Sequence, residues 1–168
     1  MSKIESQGIL EHVKSSYIEY GEYVNSYRLI PGIDGLIPVD RRMLLAAPRE
    51  LKKTIATVAR TLENYHPHGE ASVQPSKLVR QGLLKGGGDH GYTALMENIT
   101  AAAARYTECA RQSGRLADLL YRHLAFVDHY ENEMGNQEPV TLPLPVPHCL
   151  TTGHMGIGFG AGARIPAF

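Results

Sequence analysis

The chain has 168 residues, 43% of them hydrophobic and 20% charged, with a formal net charge of zero. This is the composition of an ordinary soluble globular protein with enough apolar material for a core, and one domain or two small ones would fit the length. The neutral balance runs against nucleic-acid binding as a bulk property, Cys109 and Cys149 lack the spacing of a disulfide framework or zinc site, and no apolar run reaches the roughly 18 residues of a membrane helix.

Residues 3–27 carry Ile4, Ile9, Leu10, Val13, Tyr17, Tyr20 and Val24 at helical spacing and predict a first helix, weakened in its second half by Gly21. This start has no apolar segment of the kind a secretory leader needs, and with two unpaired thiols a cytoplasmic chain with no membrane partner is expected. Pro31, Gly32, Asp34, Gly35 and Pro38 make a turn-rich connection. A short helix follows from Pro38 to Ala47, stopped by Pro48. Residues 49–64, rich in Lys, Arg, Ala and Leu, predict another helix. Tyr65-His66-Pro67-His68-Gly69 is a turn, and a helix across residues 72–84 carries Val73, Leu78, Val79, Leu83 and Leu84, with Pro75 in its first turn. Two helices about such a turn suggest a helix-turn-helix. Gly86 to Gly91 is expected as a loop, and Ala101 to Ala104 favours helix by propensity. Residues 110–131 give the clearest helix, with Leu116, Leu119, Leu120, His123 and Phe126 on one face. Residues 132–148 are loop-like, with four prolines from Pro139 to Pro147, and the tail from Thr151 to Phe168 is glycine-rich.

Four features could carry chemistry. Tyr106 follows Arg105 and the small run Ala101 to Ala104. A tyrosine in this setting is ordinarily a half-buried packing residue. As a nucleophile it needs a base or cations that favour the phenolate, and a permanently charged arginine beside it suits that and can hold a phosphate oxygen. His66 and His68 could stabilise their turn by hydrogen bonds, or donate to a phosphate at the entrance to a helix, where anions are favoured. As zinc ligands they lack partners at a recognisable spacing. Gly86 to Gly91 lacks the pattern of a nucleotide loop, so a tight permissive turn is expected. Arg41, Arg42, Arg49, Lys52, Lys53 and Arg60 stand against Asp40 and Glu50 alone, which fits either a solvated face or a phosphate-binding strip.

Several of these features recur in order in one family. Arg28 to Arg42 resembles the arginine, proline and DGLxPVxRR segment of type IIA DNA topoisomerase A-type subunits, the DNA gyrase A and topoisomerase IV A group. Tyr65 to Gly69 matches their YHPHG motif, Ala103 to Glu108 is similar to AxRYTE, and Gly88 to Gly91 resembles GNFG. Pro147 to Pro166, with Gly156-Ile157-Gly158, is similar to IPxLLxNGxxGIAVGxxTxIP. The resemblance covers residues from about 10 to 168.

The resemblance implies an α+β fold, mainly α with a small β part. It divides into an N-terminal helical arm (1–30), a winged-helix breakage-reunion domain (31–131) with strands and a wing near residues 92–105, and the beginning of a tower domain (132–168). Tyr106 would sit on the wing and attack a DNA phosphate, with Arg105, His66, His68 and Arg28 around that phosphate. The 72–84 helix, with Ser72, Lys77 and Arg80, would face DNA, as would Arg41, Arg42, Lys52 and Lys53. Ile157 would wedge between base pairs and help bend the duplex. The implied partners are double-stranded DNA, a second copy of this chain and a B-type subunit. That subunit would bind ATP and hold the assisting Mg2+, for which this chain shows no acidic DxD cluster.

The sequence departs from the family pattern at several places. Ile37 and Asp40 replace a lysine and a histidine, each removing positive charge from a DNA-facing segment. The loop before Asp34 is one residue shorter. Ala71 and Pro75 stand where a serine and an acidic residue anchor quinolone drugs, so weak quinolone sensitivity is expected. No dimer gate or wrapping domain follows the tower segment, which fits a portion of a larger or split subunit, with a phage or mobile-element origin in keeping. It also keeps open a non-catalytic winged-helix DNA-binding fragment or regulator.

Overall fold

The apolar periodicity of the N-terminal segment produces helix α1 over Ile9–Val24, which widens into a π-helical turn over Asn25–Leu29. The computed structural model describes residues 8–67, 69–88 and 103–168. Most of α1 is exposed, and burial begins at Gly21, Val24 and Leu29. Helix α2 runs over Pro38–Ala46 with Pro38 in its first turn, where the missing N–H costs nothing. Its Val39 and Met43 face inward at i and i+4, and so does Arg42.

The helix expected over residues 49–64 begins later. Lys52–Lys53 form a short strand, β1, and α3 spans Thr54–Asn64. Pairing of Lys52 with Cys109 and of Lys53 with Glu108 holds these two residues extended, which overrides their helical propensity. The helix expected over residues 72–84 is divided. A 3-10 turn covers Glu70–Ser72, and α4 is Pro75–Arg80, with Pro75 in its first turn as expected. Gly82, at φ 74°, ends it; Leu83 is buried at the bend that follows, its N–H donating to the Leu78 carbonyl oxygen, and Leu84 is buried from strand backbone.

Strand β2 is Leu84–Gly88, so the first three glycines of the expected loop are strand. After a 3-10 turn at Ala103–Arg105 comes β3, Thr107–Arg111. It is the centre of a three-stranded sheet in the order β1-β3-β2, antiparallel throughout. Asp89, His90, Gly91 and residues 92–102 of the expected wing lie outside the described residues, as does His68.

The long helix expected over residues 110–131 is corrected most. Helix α5 is Arg115–Arg122, and a 3-10 turn follows at Leu124–Phe126. Two forces shorten the helix. Thr107, Cys109 and Ala110 are buried in the sheet, and Gly114, at φ 85°, adopts a left-handed conformation that breaks any continuous helix before α5. Leu120 enters the core, whereas Phe126 is 84% exposed and lies off the expected face.

The C-terminal part folds as hairpin β4 (His129–Glu131) and β5 (Gln137–Pro139), short helix α6 (His148–Thr152), and hairpin β6 (His154–Ile157) and β7 (Gly162–Ile165). Leu36, Met43, Leu44, Val58, Leu78, Leu84, Leu120 and Leu142 form one apolar cluster whose members run from residue 36 to residue 142. Each such leucine contributes about 1.5–3 kcal/mol by leaving water. Asp34, 4% exposed, ties the two ends of this span: its carboxylate accepts from the Leu36 and Leu142 backbone N–H groups at 3.0 and 2.9 Å. The next residue must be glycine, because Gly35 has φ 76° and a Cβ there would lie 2.2 Å from the His148 nitrogen. The observed class is thus mixed helix and small sheets, the α+β expected. Among the described residues no helix is long and apolar enough to cross a membrane.

Candidate functional site

Tyr106 stands at the turn between the Ala103–Arg105 3-10 segment and β3, and is 64% exposed. Arg105 beside it is also exposed. An exposed phenol is not the half-buried packing residue that composition favoured. The backbone beneath it is fixed. Thr107 is fully buried and its hydroxyl donates to Thr54 Oγ1 at 2.8 Å, tying the strand that follows Tyr106 to the first residue of α3. Across the ladder, Gly88 opposes Thr107 with φ 62°, and a Cβ there would come within 2.7 Å of the Tyr106 carbonyl oxygen. Only glycine allows β2 to approach Tyr106 this closely.

Helix α3 leads from that anchor to the histidine turn. His66 is 7% exposed. Its Nδ1 lies 3.0 Å from Arg42 Nη1 and its Nε2 lies 2.8 Å from Ser72 Oγ. Ser72 in turn donates to the Gly69 carbonyl oxygen at 3.1 Å, closing the turn. Arg28, on the π-helical turn, lines a small cavity of about 20 Å³ together with Tyr23, Arg42, His66 and Ser72. The structure therefore brings Arg28 and His66 to one place.

The basic strip is divided. Arg42 is buried and its Nε donates to Glu138 Oε2 at 2.9 Å. Burial works against this guanidinium's charge, but the hydrogen bond and charge of Glu138 outweigh it and raise its pKa. Arg41 donates to the Val140 and Leu36 carbonyl oxygens and pairs with Asp34 at 3.4 Å. Lys77 Nζ meets Asp40 Oδ2 at 2.7 Å. Lys52 and Lys53 are exposed on β1, and the 3.5 Å contact of Lys53 with Glu108 is a solvent-screened pair of little weight. Arg80 is exposed at the end of α4.

A cavity of about 550 Å³ opens between α3 and α4 beside the Tyr106 turn, lined among others by Glu70, Ala71, Pro75, Lys77, Arg80 and Ala104. In the C-terminal part, Ile157 is 81% exposed at the end of β6. Its hairpin is held against α1: Phe159 packs edge-on to Tyr17 and Tyr20, and its N–H donates to Asn25 Oδ1 at 3.0 Å. A Cβ at Gly158 would collide with Asn25 Oδ1 at 2.2 Å. The hairpin is thus clamped while Ile157 is left in solvent.

Motif reasoning missed Tyr130, Asn132 and Glu138 on the β4–β5 hairpin. Glu138 is 3% exposed and accepts from Arg42, Tyr130 and Asn132. One signal was available: Arg42 shares the inward face of α2 with Val39 and Met43, and a buried cation requires a counterion. Among the described residues no group of three or more His, Cys, Asp or Glu side chains could hold a metal ion.

Comparison with known proteins places these features in context. A family model for the A subunit of DNA gyrase and topoisomerase IV matches residues 28–168. The DNA gyrase A subunit of Mycobacterium tuberculosis is 34% identical over 185 residues, covering 99% of this chain and 21% of that protein. The DNA gyrase A subunits of Streptomyces coelicolor and Brachyspira hyodysenteriae are 31% and 32% identical, covering 98% and 99% of this chain and 21% and 22% of theirs. The chain spans about a fifth of the length of these relatives. The alignments also run longer than the chain, so the relatives carry residues within this region that it lacks.

Proposed function

Because the chain belongs to the family of DNA gyrase and topoisomerase IV A subunits, we propose that it is the DNA breakage-reunion portion of a type IIA topoisomerase, with Tyr106 as its nucleophile. The observation that carries this reading is the exposed Arg105-Tyr106 pair on a backbone pinned from both sides, by Thr54 through Thr107 and by Gly88. In this reading α3, the histidine turn and α4 form the helix-turn-helix, and the β1-β3-β2 sheet is the base of the wing.

The reaction is a transesterification. Tyr106 Oη attacks a backbone phosphorus as its phenolic proton leaves, and the bond to the 3′-oxygen breaks. The products are a 5′-phosphotyrosyl link and a free 3′-hydroxyl, so the bond energy is conserved and resealing needs no outside source. Arg105 holds non-bridging oxygens as charge shifts onto them, an electrostatic contribution that usually dominates phosphoryl transfer. Arg28 and His68 complete the surroundings of the phosphate. Arg80, Lys52 and Lys53 contact the DNA backbone, and Ser72, whose hydroxyl proton goes to the Gly69 carbonyl oxygen, shapes the turn beside them. Arg41, Arg42 and Lys77 act first on Asp34, Glu138 and Asp40, and so shape that surface. Ile157, clamped and exposed, is the wedge between base pairs.

ATP and magnesium belong to a B-type partner in this proposal, and no step on this chain is derived through the metal. A second copy of the chain supplies the tyrosine for the other strand. The test is covalent capture: the chain is mixed with a B-type subunit, magnesium and supercoiled plasmid, then stopped with detergent. Protein-linked and linear DNA are expected, and both disappear with Tyr106→Phe. Duplex binding and bending without any adduct would instead make the chain a non-catalytic DNA-binding module.

A further inference from the structure

The β4–β5 hairpin reaches the histidine turn through a continuous set of hydrogen bonds. Glu138 Oε2 accepts from Arg42 Nε at 2.9 Å and from the Tyr130 hydroxyl at 2.7 Å, and Oε1 accepts from Asn132 Nδ2 at 2.7 Å. Asn132 also donates to the carbonyl oxygen of Asn64, the last residue of α3, two positions before His66. Arg42 presents its other edge to His66 Nδ1 at 3.0 Å.

The direction of each proton follows from the donor inventory. A guanidinium only donates, so His66 Nδ1 must be the acceptor. The ring proton then lies on Nε2, which donates to Ser72 Oγ at 2.8 Å. Ser72, having accepted, donates its own hydroxyl hydrogen bond to the Gly69 carbonyl oxygen. A proton on Nδ1 would point at the Arg42 cation within a buried site, where such a repulsion is poorly screened. With Nδ1 accepting and Nε2 donating, the His66 ring fixes its turn, the first of the two roles its sequence allowed.

We propose that Glu138 is a positioning residue of the DNA-breaking site: by holding Arg42 it fixes His66 as the Nε2–H tautomer, and through Ser72 it sets the turn that leads into α4. The effect on cleavage rests on the topoisomerase reading above. The tautomer does not.

The first measurement is a long-range proton–nitrogen NMR correlation on the full chain with labelled histidine, the His66 ring being assigned by its loss in His66→Asn. An unprotonated Nδ1 and a protonated Nε2 are expected at neutral pH. A proton on Nδ1, or on both nitrogens, overturns the proposal whatever the Glu138 and Ser72 variants do. In Glu138→Gln the ring signal is expected to become a mixture of tautomers. In the complex with a B-type subunit, the cleavage rate should then fall about tenfold at unchanged DNA affinity, the size expected for one charge-assisted hydrogen bond. Ser72→Ala, at a partly exposed position, should lower cleavage by a similar factor while Nδ1 stays unprotonated. The double variant should fall no further, because both act along one path. Multiplying losses would overturn the proposal, and so would a Ser72→Ala chain that cleaves normally; the latter arm stands even if Glu138→Gln does not fold. A chain with the expected tautomer that forms no adduct would end the topoisomerase reading and leave the hydrogen-bond relay as a purely structural one.

Discussion

At the scale of single residues, buried charge decides more than exposed charge. His148 is a case with a pH signature. Burial pushes its pKa below the ordinary 6.5; Asp40 opposes that shift and Lys77 adds to it. Its folded value is thus depressed relative to the unfolded chain, so between the two values the unfolded state binds more protons. This contribution to stability is fully present above an unfolded pKa of about 6.5 and is lost as pH falls through the folded value. Urea midpoints measured from pH 8 to pH 5 should decline on the acid side, and His148→Gln should flatten that part of the decline. An unchanged profile in the variant would refute the assignment. Residues such as Arg105 and Tyr106 were legible because their motif is local. Glu138 was not, because its importance comes from Arg42, 96 positions away.

At the scale of elements, glycine and proline set the boundaries that periodicity blurred. The stripe of leucines after residue 115 was read correctly as helix, but its extension to residues 110 and 131 was not. Thr107 to Arg111 gain more from pairing with both β1 and β2 than from helical propensity, and Gly114 permits the reversal. In the same way Gly86 to Gly88 look like loop in isolation and become strand because β3 lies beside them. Gly88 gives the sharpest test of this sheet. Gly88→Ala forces a side chain into positive φ against the Tyr106 carbonyl, a strain of about 1–3 kcal/mol. The chain should melt earlier, and DNA cleavage should drop while duplex binding, measured by fluorescence anisotropy, is kept. Equal losses of both would show that the strand positions the whole DNA face and not the tyrosine in particular.

At the scale of the whole molecule, family membership and mixed helix–sheet class were readable because several motifs appear in order, whereas the C-terminal hairpins were hidden among prolines and glycines. The cavity beside Tyr106 is lined by Ala71 and Pro75, so at these two positions a small molecule meets a methyl group and a ring in place of a polar side chain, while Glu70, Lys77 and Arg80 line it elsewhere. In the reconstituted complex, ciprofloxacin should therefore trap few cleavage products, and Ala71→Ser should increase trapping; efficient trapping by the unaltered chain would contradict this. The pairing of Arg42 with Glu138 also has a temporal side. During synthesis at roughly 5–20 residues per second, the 96 positions between them take about 5–20 s to be made. For that interval the nascent chain holds a cation destined for its interior with no counterion, and it lacks Leu142 for the same core. The α2 face must stay hydrated until the β4–β5 hairpin emerges, so the histidine turn acquires its native shape only after residue 138 has been made.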